Sequence, residues 1–475
     1  MSPEDSKSAE TCATKLLGRV RELEELRRAL ADVTAGRGRL ILFTGEPGIG
    51  KTSLADAASA LSHEHGFSVH WGRSWEAGGA PAYFPWLGIL SGMAASLDEE
   101  TLSRSLGDGI RVLAELVPEL GERLPHSQRG AEAPPEEARF RVWRAIVALA
   151  REASKRSPHG ITVVLDDLHA ADRSSLLLLH FLARELRALR LLVIATYRDA
   201  EAELDGERAE LIARIAREGT RLSLPRLGAS EISDFIRERA GEVEPSVVAR
   251  ISADTQGNPL FVTEMVRLLA EQGPESIGHG AVPHGVREVI RQRTERVSAA
   301  THELLEVAAV MGDVLEPLLL KAALGREDAE LKASLVEATR AGVLVERGRT
   351  RRFGHALFRE VLYRELDDAE RRRLHGRVSD ALERSLLPGS PPPHAELAHH
   401  ALAGPPELLE RGVAHAVHAA RRAAELLAYD EAVGVLRSAL GAVTENGNRP
   451  ALRGDLLVAL GAACISRGES ALGKR

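Results

Sequence analysis

Gly45-Glu46-Pro47-Gly48-Ile49-Gly50-Lys51-Thr52 fits the pattern G-x-x-x-x-G-K-[ST], the phosphate-binding P-loop, and its flanks fit as well. Before it runs Arg39-Leu40-Ile41-Leu42-Phe43-Thr44, a short apolar segment that reads as a buried strand. After it, Ser53-Leu54-Ala55-Asp56-Ala57-Ala58-Ser59-Ala60-Leu61 places apolar residues at helical spacing. Strand, glycine loop and helix in that order turn successive backbone N–H groups toward a phosphate at the positive end of a helix dipole. Gly45, Glu46, Pro47, Gly48, Ile49, Gly50, Lys51, Thr52 and Ser53 are therefore the candidate nucleotide-binding residues. Lys51 offers a flexible cation to the β and γ phosphates, and the Thr52 hydroxyl is the expected Mg²⁺ ligand.

Composition bounds the rest. A chain of 475 residues has room for two to four domains. Hydrophobic content of 44% and charged content of 28% describe a globular protein, and a net charge of −7 provides no global field toward nucleic acid or anionic lipid. Of the 62 basic residues only seven are Lys, which singles out the lysine of the P-loop. Cys12 and Cys464 lie at opposite ends and make no disulfide or metal pattern, which suits a reducing, cytoplasmic setting. The polar N-terminus lacks the apolar core of a signal peptide. The most apolar stretch, Leu176 to Thr196, is broken by His180, Arg184, Glu185, Arg187 and Arg190, so it reads as a buried helix followed by a strand rather than a membrane span.

From Lys15 to about Pro225 short apolar strands alternate with amphipathic helices, the pattern of an α/β domain with a parallel sheet and helices on both faces. An aromatic loop, Gly78 to Trp86, follows a strand near Phe67–Gly72, and His126 to Glu137 reads as a mobile surface loop. Beyond Pro225 helical periodicity dominates, with breaks near Gly273–His284 and Leu387–His394. The second break, Leu387-Pro388-Gly389-Ser390-Pro391-Pro392-Pro393, is the clearest linker and separates a final helical segment from everything before it.

A P-loop needs a metal-positioning acid on a neighbouring strand. Ile161-Thr162-Val163-Val164-Leu165 ending in Asp166-Asp167 supplies one, with Asp166 expected to hold Mg²⁺ through water and Asp167 to polarise the attacking water. A buried strand running into an acidic turn is the plainer alternative. Leu191-Leu192-Val193-Ile194-Ala195-Thr196-Tyr197-Arg198 is a further buried strand with Arg198 at its carboxyl end, where ligands of open α/β sheets sit. Arg198 is a candidate γ-phosphate sensor, or else a surface arginine paired with Asp199 or Glu201.

These residues resemble a known group. Asp166-Asp167-Leu168-His169-Ala170-Ala171-Asp172 followed by Ser174-Ser175-Leu176-Leu177 is similar to the D-D-L-H-W-A-D-x-x-S-L-x-L-L signature of STAND-type signalling ATPases, as found in the AAA-like ATPase region of large LuxR-type transcriptional regulators. The resemblance runs from about Leu16 to the C-terminus. Leu16-Leu17-Gly18-Arg19 with Glu22 resembles the opening motif whose backbone lies by the adenine, so Gly18 and Arg19 join the nucleotide-binding set. Gly257-Asn258-Pro259-Leu260-Phe261 resembles the G-N-P motif of a helical lid, with Pro259 packing near the base. Arg352-Phe353-Gly354-His355-Ala356-Leu357-Phe358-Arg359-Glu360 resembles the winged-helix motif whose histidine senses nucleotide state, which makes His355 a candidate phosphate contact; a packed histidine is the alternative. Two departures stand out: Ala170 replaces the usual tryptophan, and Val20-Arg21 adds spacing before Glu22.

The resemblance implies a disordered tail at 1–14, a P-loop ATPase domain at 15–225, a helical lid at 226–285, a winged-helix-like arm at 286–386, a Pro-rich linker at 387–394 and TPR-like helical repeats at 395–475. Leu344 to Phe353 is the expected hairpin of the arm, and its four arginines are the only hint of a nucleic-acid contact, set against the arm's role over nucleotide. Leu427-Ala428-Tyr429-Asp430-Glu431-Ala432 and Ile465 to Ala471 resemble TPR turns. The chain stops just after such a turn, so it is expected to be shorter than its relatives, with no helix-turn-helix following. The implied function is a Mg-ATP-binding signalling switch with slow hydrolysis to ADP, self-association that depends on nucleotide, and a protein partner on the TPR-like surface. The rivals are a transcriptional regulator without its DNA-binding domain and a scaffold that holds nucleotide without turnover. No direct nucleic-acid site and no membrane contact are expected.

Overall fold

The computed structural model describes residues 18–75, 79–106, 109–117, 120, 135–198, 206–273, 290–291, 293–294, 296–312, 314–347, 350–386, 391–447 and 449–467. The tail expected at 1–14, Cys12, Leu16, Leu17, Gly78, residues 126–134 of the expected surface loop, Asp199, Glu201, residues 274–284 of the first break, residues 387–390 of the second, Arg349 and residues 468–475 lie outside the described residues.

The N-terminal half is a five-stranded parallel sheet. Its strands are β1 (Arg39–Gly45), β2 (Ser68–Arg73), β3 (Ile161–Asp166), β4 (Leu191–Arg198) and β5 (Thr220–Ser223), in the order β2-β3-β4-β1-β5. Between them run α1 (Val20–Thr34), α2 (Lys51–Glu64), α3 (Phe84–Ala95), α4 (Glu99–Leu106), α5 (Gly109–Leu116), α6 (Pro135–Arg156), α7 (Arg173–Glu185) and α8 (Gly206–Arg217), α1 preceding the first strand. Because side chains alternate across a strand, continuous apolar strands feed two cores at once. Ile41, Phe43, Val164, Leu192 and Ile194 pack with Leu26 and Leu30 of α1 and Leu54 and Ala58 of α2. Leu40, Leu42, Val163, Leu165, Leu191 and Val193 face the other way, into a core with Trp86 of α3, Ile146 of α6 and Leu179 of α7. Each such side chain taken from water stabilises the domain by about 1.5–3 kcal/mol.

The strand carrying Asp166 is not the neighbour of the P-loop strand, contrary to expectation. β4 lies between β1 and β3. β1 and β4 end together, with Gly45 opposite Arg198, whereas Leu165 lies opposite Ala195, so β3 ends with Asp166 beside Thr196, short of that line. Asp166 reaches the P-loop across the end of β4 because the residue there, Thr196, is short and bonds to it.

Beyond β5 the described chain is mostly helical, as expected. Helices α9 (Ala229–Ala240), α10 (Pro245–Thr255) and α11 (Pro259–Gln272) share a small core around Ile232 and Val262. Helices α12 (Ala299–Met311), α13 (Pro317–Leu324), α14 (Asp328–Arg340), α15 (Ala356–Glu365) and α16 (Asp368–Arg384) form another, with β6 (Val314–Leu315) and the hairpin β7 (Leu344–Arg347) and β8 (Thr350–Phe353) paired in the order β6-β8-β7. The last four helices are α17 (His394–Ala403), α18 (Leu409–Glu425), α19 (Tyr429–Glu445) and α20 (Pro450–Ser466). The Pro-rich break separates them in sequence but not in space: their apolar residues, from Ala398 to Cys464, join the core that holds Leu179. At that contact Glu431 of α19 accepts hydrogen bonds from the Ser174 amide at 3.0 Å and the Ser174 hydroxyl at 2.9 Å.

Candidate functional site

The P-loop turns between β1 and α2. Gly50 sits at φ 98° and Gly48 at φ 82°, the left-handed region that favours glycine. At Gly48 a side chain is also sterically barred, since a Cβ there would meet Asn258 Oδ1 at 2.9 Å and Leu260 Cβ at 3.1 Å. This is the docking point of α11: Asn258 Nδ2 donates to Glu46 Oε1 at 2.9 Å and to the Pro47 carbonyl at 3.0 Å, and the Leu260 amide donates to the Gly48 carbonyl. Arg226 adds an ion pair to Glu46 at 2.6 Å. On the far side Arg19 donates to the Ile49 carbonyl at 3.0 Å and lies 4.0 Å from Glu22; burial pulls its pKa down, against the pull of Glu22 and Glu231. Lys51 Nζ donates to the Gly45 and Glu46 carbonyls, both at 2.9 Å, so the loop holds its cation across its own mouth.

Asp166 is the hub of the acidic end and is fully buried. Both its oxygens lie 3.2 Å from the Thr52 hydroxyl, Oδ1 accepts from the Thr196 hydroxyl at 2.6 Å, and Oδ2 pairs with Arg73 at 2.9 Å. A buried carboxylate needs such donors and a cation. The fit to a hard divalent ion is good: a hydroxyl and a carboxylate share one spot, and in this structure Arg73 supplies the positive charge the carboxylate needs. Asp167 follows in the left-handed region, φ 59°, with its amide donating to Thr196 Oγ1 at 2.8 Å. Its carboxylate lies 3.9 Å from His169 Nδ1.

A cavity of about 360 Å³ opens over this end of the sheet. Its floor is Pro47, Gly48, Gly50, Lys51, Thr52 and Ser53, with Asp166, Asp167 and Arg198. Its roof comes from a distant part of the chain: Phe353 at the end of the hairpin, then Gly354, His355 and Arg359. His355 is the N-cap of α15, and its Nδ1 accepts from the Leu357 amide at 3.1 Å, which puts the proton of the neutral ring on Nε2. Glu396 of α17 also lines the cavity; burial first, then the charge of Glu316, pushes it up to about 7.

Of the residues singled out from sequence, the structure brings Pro47, Gly48, Gly50, Lys51, Thr52, Ser53, Asp166, Asp167, Arg198 and His355 to this cavity. Gly45, Glu46, Ile49, Gly18, Arg19 and Pro259 are not among the residues that line it; Arg19 braces the loop through the Ile49 carbonyl, and Pro259 opens the helix whose cap, Asn258, bonds to Glu46. Arg73, Asn258, Thr196, Arg359 and Glu396 are contacts that the sequence reading did not assign. Asn258 lay inside a quoted motif, and Thr196 lay inside the strand that ends at Arg198; Arg73 and Glu396 carry no local signal. Of the hairpin arginines, Arg351 pairs with Glu346, and Arg352 lies 3.8 Å from Asp56 and lines the cavity.

The chain and its fold are similar to known proteins. Residues 15–194 match the AAA ATPase domain family, so the chain carries an AAA ATPase domain. It is 25% identical over 489 residues to an uncharacterized protein of Rhizobium meliloti (strain 1021), an alignment taking in 95% of this chain and 45% of that protein; the chain thus spans less than half of this relative. Its fold is similar to the crystal structure of a signal transduction ATPase with numerous domains (STAND) with a tetratricopeptide repeat sensor from Pyrococcus horikoshii. That likeness has a TM-score of 0.52 at 17% identity and covers 94% of this chain and 62% of the other. The Aeropyrum pernix ORC2 protein matches more loosely, with a TM-score of 0.36 at 16% identity over 74% of this chain and 94% of its own. Among the described residues no helix is long and apolar enough to cross a membrane.

Proposed function

We propose that this chain is a STAND-type ATP-binding switch in which residues 286–386 act as a winged-helix-like arm over the nucleotide and 395–475 as a TPR-like sensor surface. The observation that carries this reading is the cavity itself, whose floor is the P-loop and acid pair and whose roof is the arm. A nucleotide there touches both, and only a ligand with differential contacts can shift an equilibrium between two positions of the arm. Lys51 binds the β and γ phosphates, and Arg198 reads the γ-phosphate. Thr52 and Asp166 would hold Mg²⁺, which would supply positive charge against the phosphates. Asp167 takes the proton of the water that attacks the γ-phosphorus. His355 donates its Nε2–H to a phosphate oxygen and so ties the arm to the nucleotide. Mg-ATP favours the open, self-associating state and ADP the closed one.

The test is Asp167→Asn in the full chain. The amide keeps the shape but accepts no proton, so Mg-ATP binding persists while phosphate release in single turnover falls by about 10²-fold or more. Parental turnover in this variant removes Asp167 from the chemistry. Parental binding with no turnover in the wild-type chain as well would leave the nucleotide-holding scaffold.

A further inference from the structure

We propose that His375, His399 and His400 form a binding site for a borderline divalent transition-metal ion, with zinc the best fit, pinning α16 to α17. His375 projects from α16, and the adjacent pair comes from α17, across the Pro-rich break. One nitrogen from each ring lies within 4.8 Å of the others. His375 Nδ1 and His400 Nδ1 already face each other at 2.9 Å. Small ring rotations bring three nitrogens to the separation of about 3.3 Å that a tetrahedral ion with 2.0–2.1 Å bonds requires.

Protein groups alone do not satisfy this cluster. Facing Nδ1 atoms share one proton between them, and the buried Nε2 of His400 has no hydrogen-bond partner. A buried polar atom left in that state is destabilising. His375 is placed for ligation by its other nitrogen, since Nε2 lies 3.0 Å from the Tyr363 hydroxyl and the two rings meet edge to face at 89°. An outer partner of this kind fixes the ring and leaves Nδ1 for the ion.

Burial holds all three imidazoles neutral, His375 at about 3 and His399 at about 4, with His400 well below its ordinary value. Neutral imidazole is the form that ligates. The Arg359 and Arg371 guanidiniums act on the cluster too and oppose any cation. The site therefore selects an ion whose bond to nitrogen outweighs that repulsion, and a hard ion such as Mg²⁺ is rejected. His375 and His400 are almost fully buried and His399 is partly buried, so a fourth ligand, water, is expected on the side of His399. Glu396 stands one turn before this pair on α17 and lines the nucleotide cavity, so an ion here fixes the helix that closes one wall of that cavity.

The experiment uses the untagged full chain, free of nucleotide and Mg²⁺, stripped with chelator and reloaded with zinc, then with cobalt. Expected are one zinc per chain by elemental analysis, the visible bands of four-coordinate cobalt, and a melting temperature several degrees above the stripped protein. His399→Ala, at the least buried of the three positions, keeps the fold and loses the bands and the zinc-dependent shift. It retains the separate histidine pile of His394, His415 and His418, where His394 and His415 meet at 2.9 Å, so adventitious binding there stays in both proteins. Zinc and cobalt binding equal in parent and variant, or no stoichiometric metal in the parent, overturns the proposal. Neither result touches the nucleotide reading, because no nucleotide is present.

Discussion

The floor and the roof of the nucleotide cavity are built on different principles. The floor is local: Gly45 to Thr52 and Asp166-Asp167 each lie within a few residues, at the carboxyl ends of strands of one parallel sheet. The roof is remote: Phe353, His355 and Arg359 arrive some 300 residues later on a hairpin and helix held by their own core around Leu305 and Phe358. On the proposed reading the floor supplies phosphate affinity whatever the roof does. The roof contributes only where it stays packed over the floor. Binding strength and switching would then belong to separate parts of the molecule, and substitutions in each should fail differently.

The largest effect is expected in the floor. Lys51→Ala removes a cation whose charge-assisted bonds are worth ~1.5–3 kcal/mol each, so ATP affinity drops by several kcal/mol while the arm stays packed. Calorimetry that finds equal affinity removes the P-loop from the account. A second break tests the strand that intervenes between β1 and β3. Thr196→Val strips Asp166 of its 2.6 Å donor and the Asp167 amide of its acceptor in a fully buried place. Each orphaned group costs about 1–3 kcal/mol, so denaturant melts should show a clear loss of stability together with weaker Mg²⁺ dependence of ATP binding. A melt superimposed on the parent's rules out the hub.

The same contrast explains what was legible in the sequence. The floor could be read because phosphate binding requires particular residues at fixed short spacing, and the apolar runs before Gly45 and before Asp166 mark their strands. Strand order was not legible: β4 inserts between β1 and β3, and a parallel pattern carries no information on which strand lies beside which. Arg73 escaped for the same reason, since it meets Asp166 through the pairing of β2 with β3, 93 residues apart. His355 could be placed over the nucleotide only through the family resemblance. Its capping of α15 is a local property that the preceding Gly354 and following Ala356 leave open. The docking of the last helices on α7 through Glu431 and Ser174 is a tertiary contact between two segments, each of which reads as an ordinary helix start.

A smaller effect is expected in the roof. His355→Ala would lose both the cap and the reach to phosphate, so the sharper change is His355→Asn, because asparagine caps a helix as well and falls short of the cavity. If the ring holds the arm to ADP by ~1–3 kcal/mol, His355→Asn should release ADP about five- to hundredfold faster in stopped flow, with an unchanged melting temperature. Unaltered release from a folded His355→Asn protein makes the histidine a cap and nothing more.

The smallest expected effect joins floor and roof through charge. Glu396 lines the cavity from α17, and burial together with Glu316 pushes it up to about 7 from an ordinary 4.5. A carboxyl raised in the folded state is stabilising as the neutral acid. Its contribution is complete below 4.5 and is lost as the pH climbs through about 7. A bound triphosphate adds negative charge to the same cavity, beside Lys51, Arg198, His355 and Arg359, and raises Glu396 further. ATP binding should then take up a proton near neutrality, and ATP affinity should weaken more between pH 6 and 8 in the parent than in Glu396→Gln, which stays neutral throughout. Calorimetry in buffers of different ionisation enthalpy reads the proton directly. A Glu396→Gln variant with the parental pH slope and the parental proton uptake places Glu396 outside the reach of the phosphates, and the cavity would then bind nucleotide on its floor without engaging α17 at all.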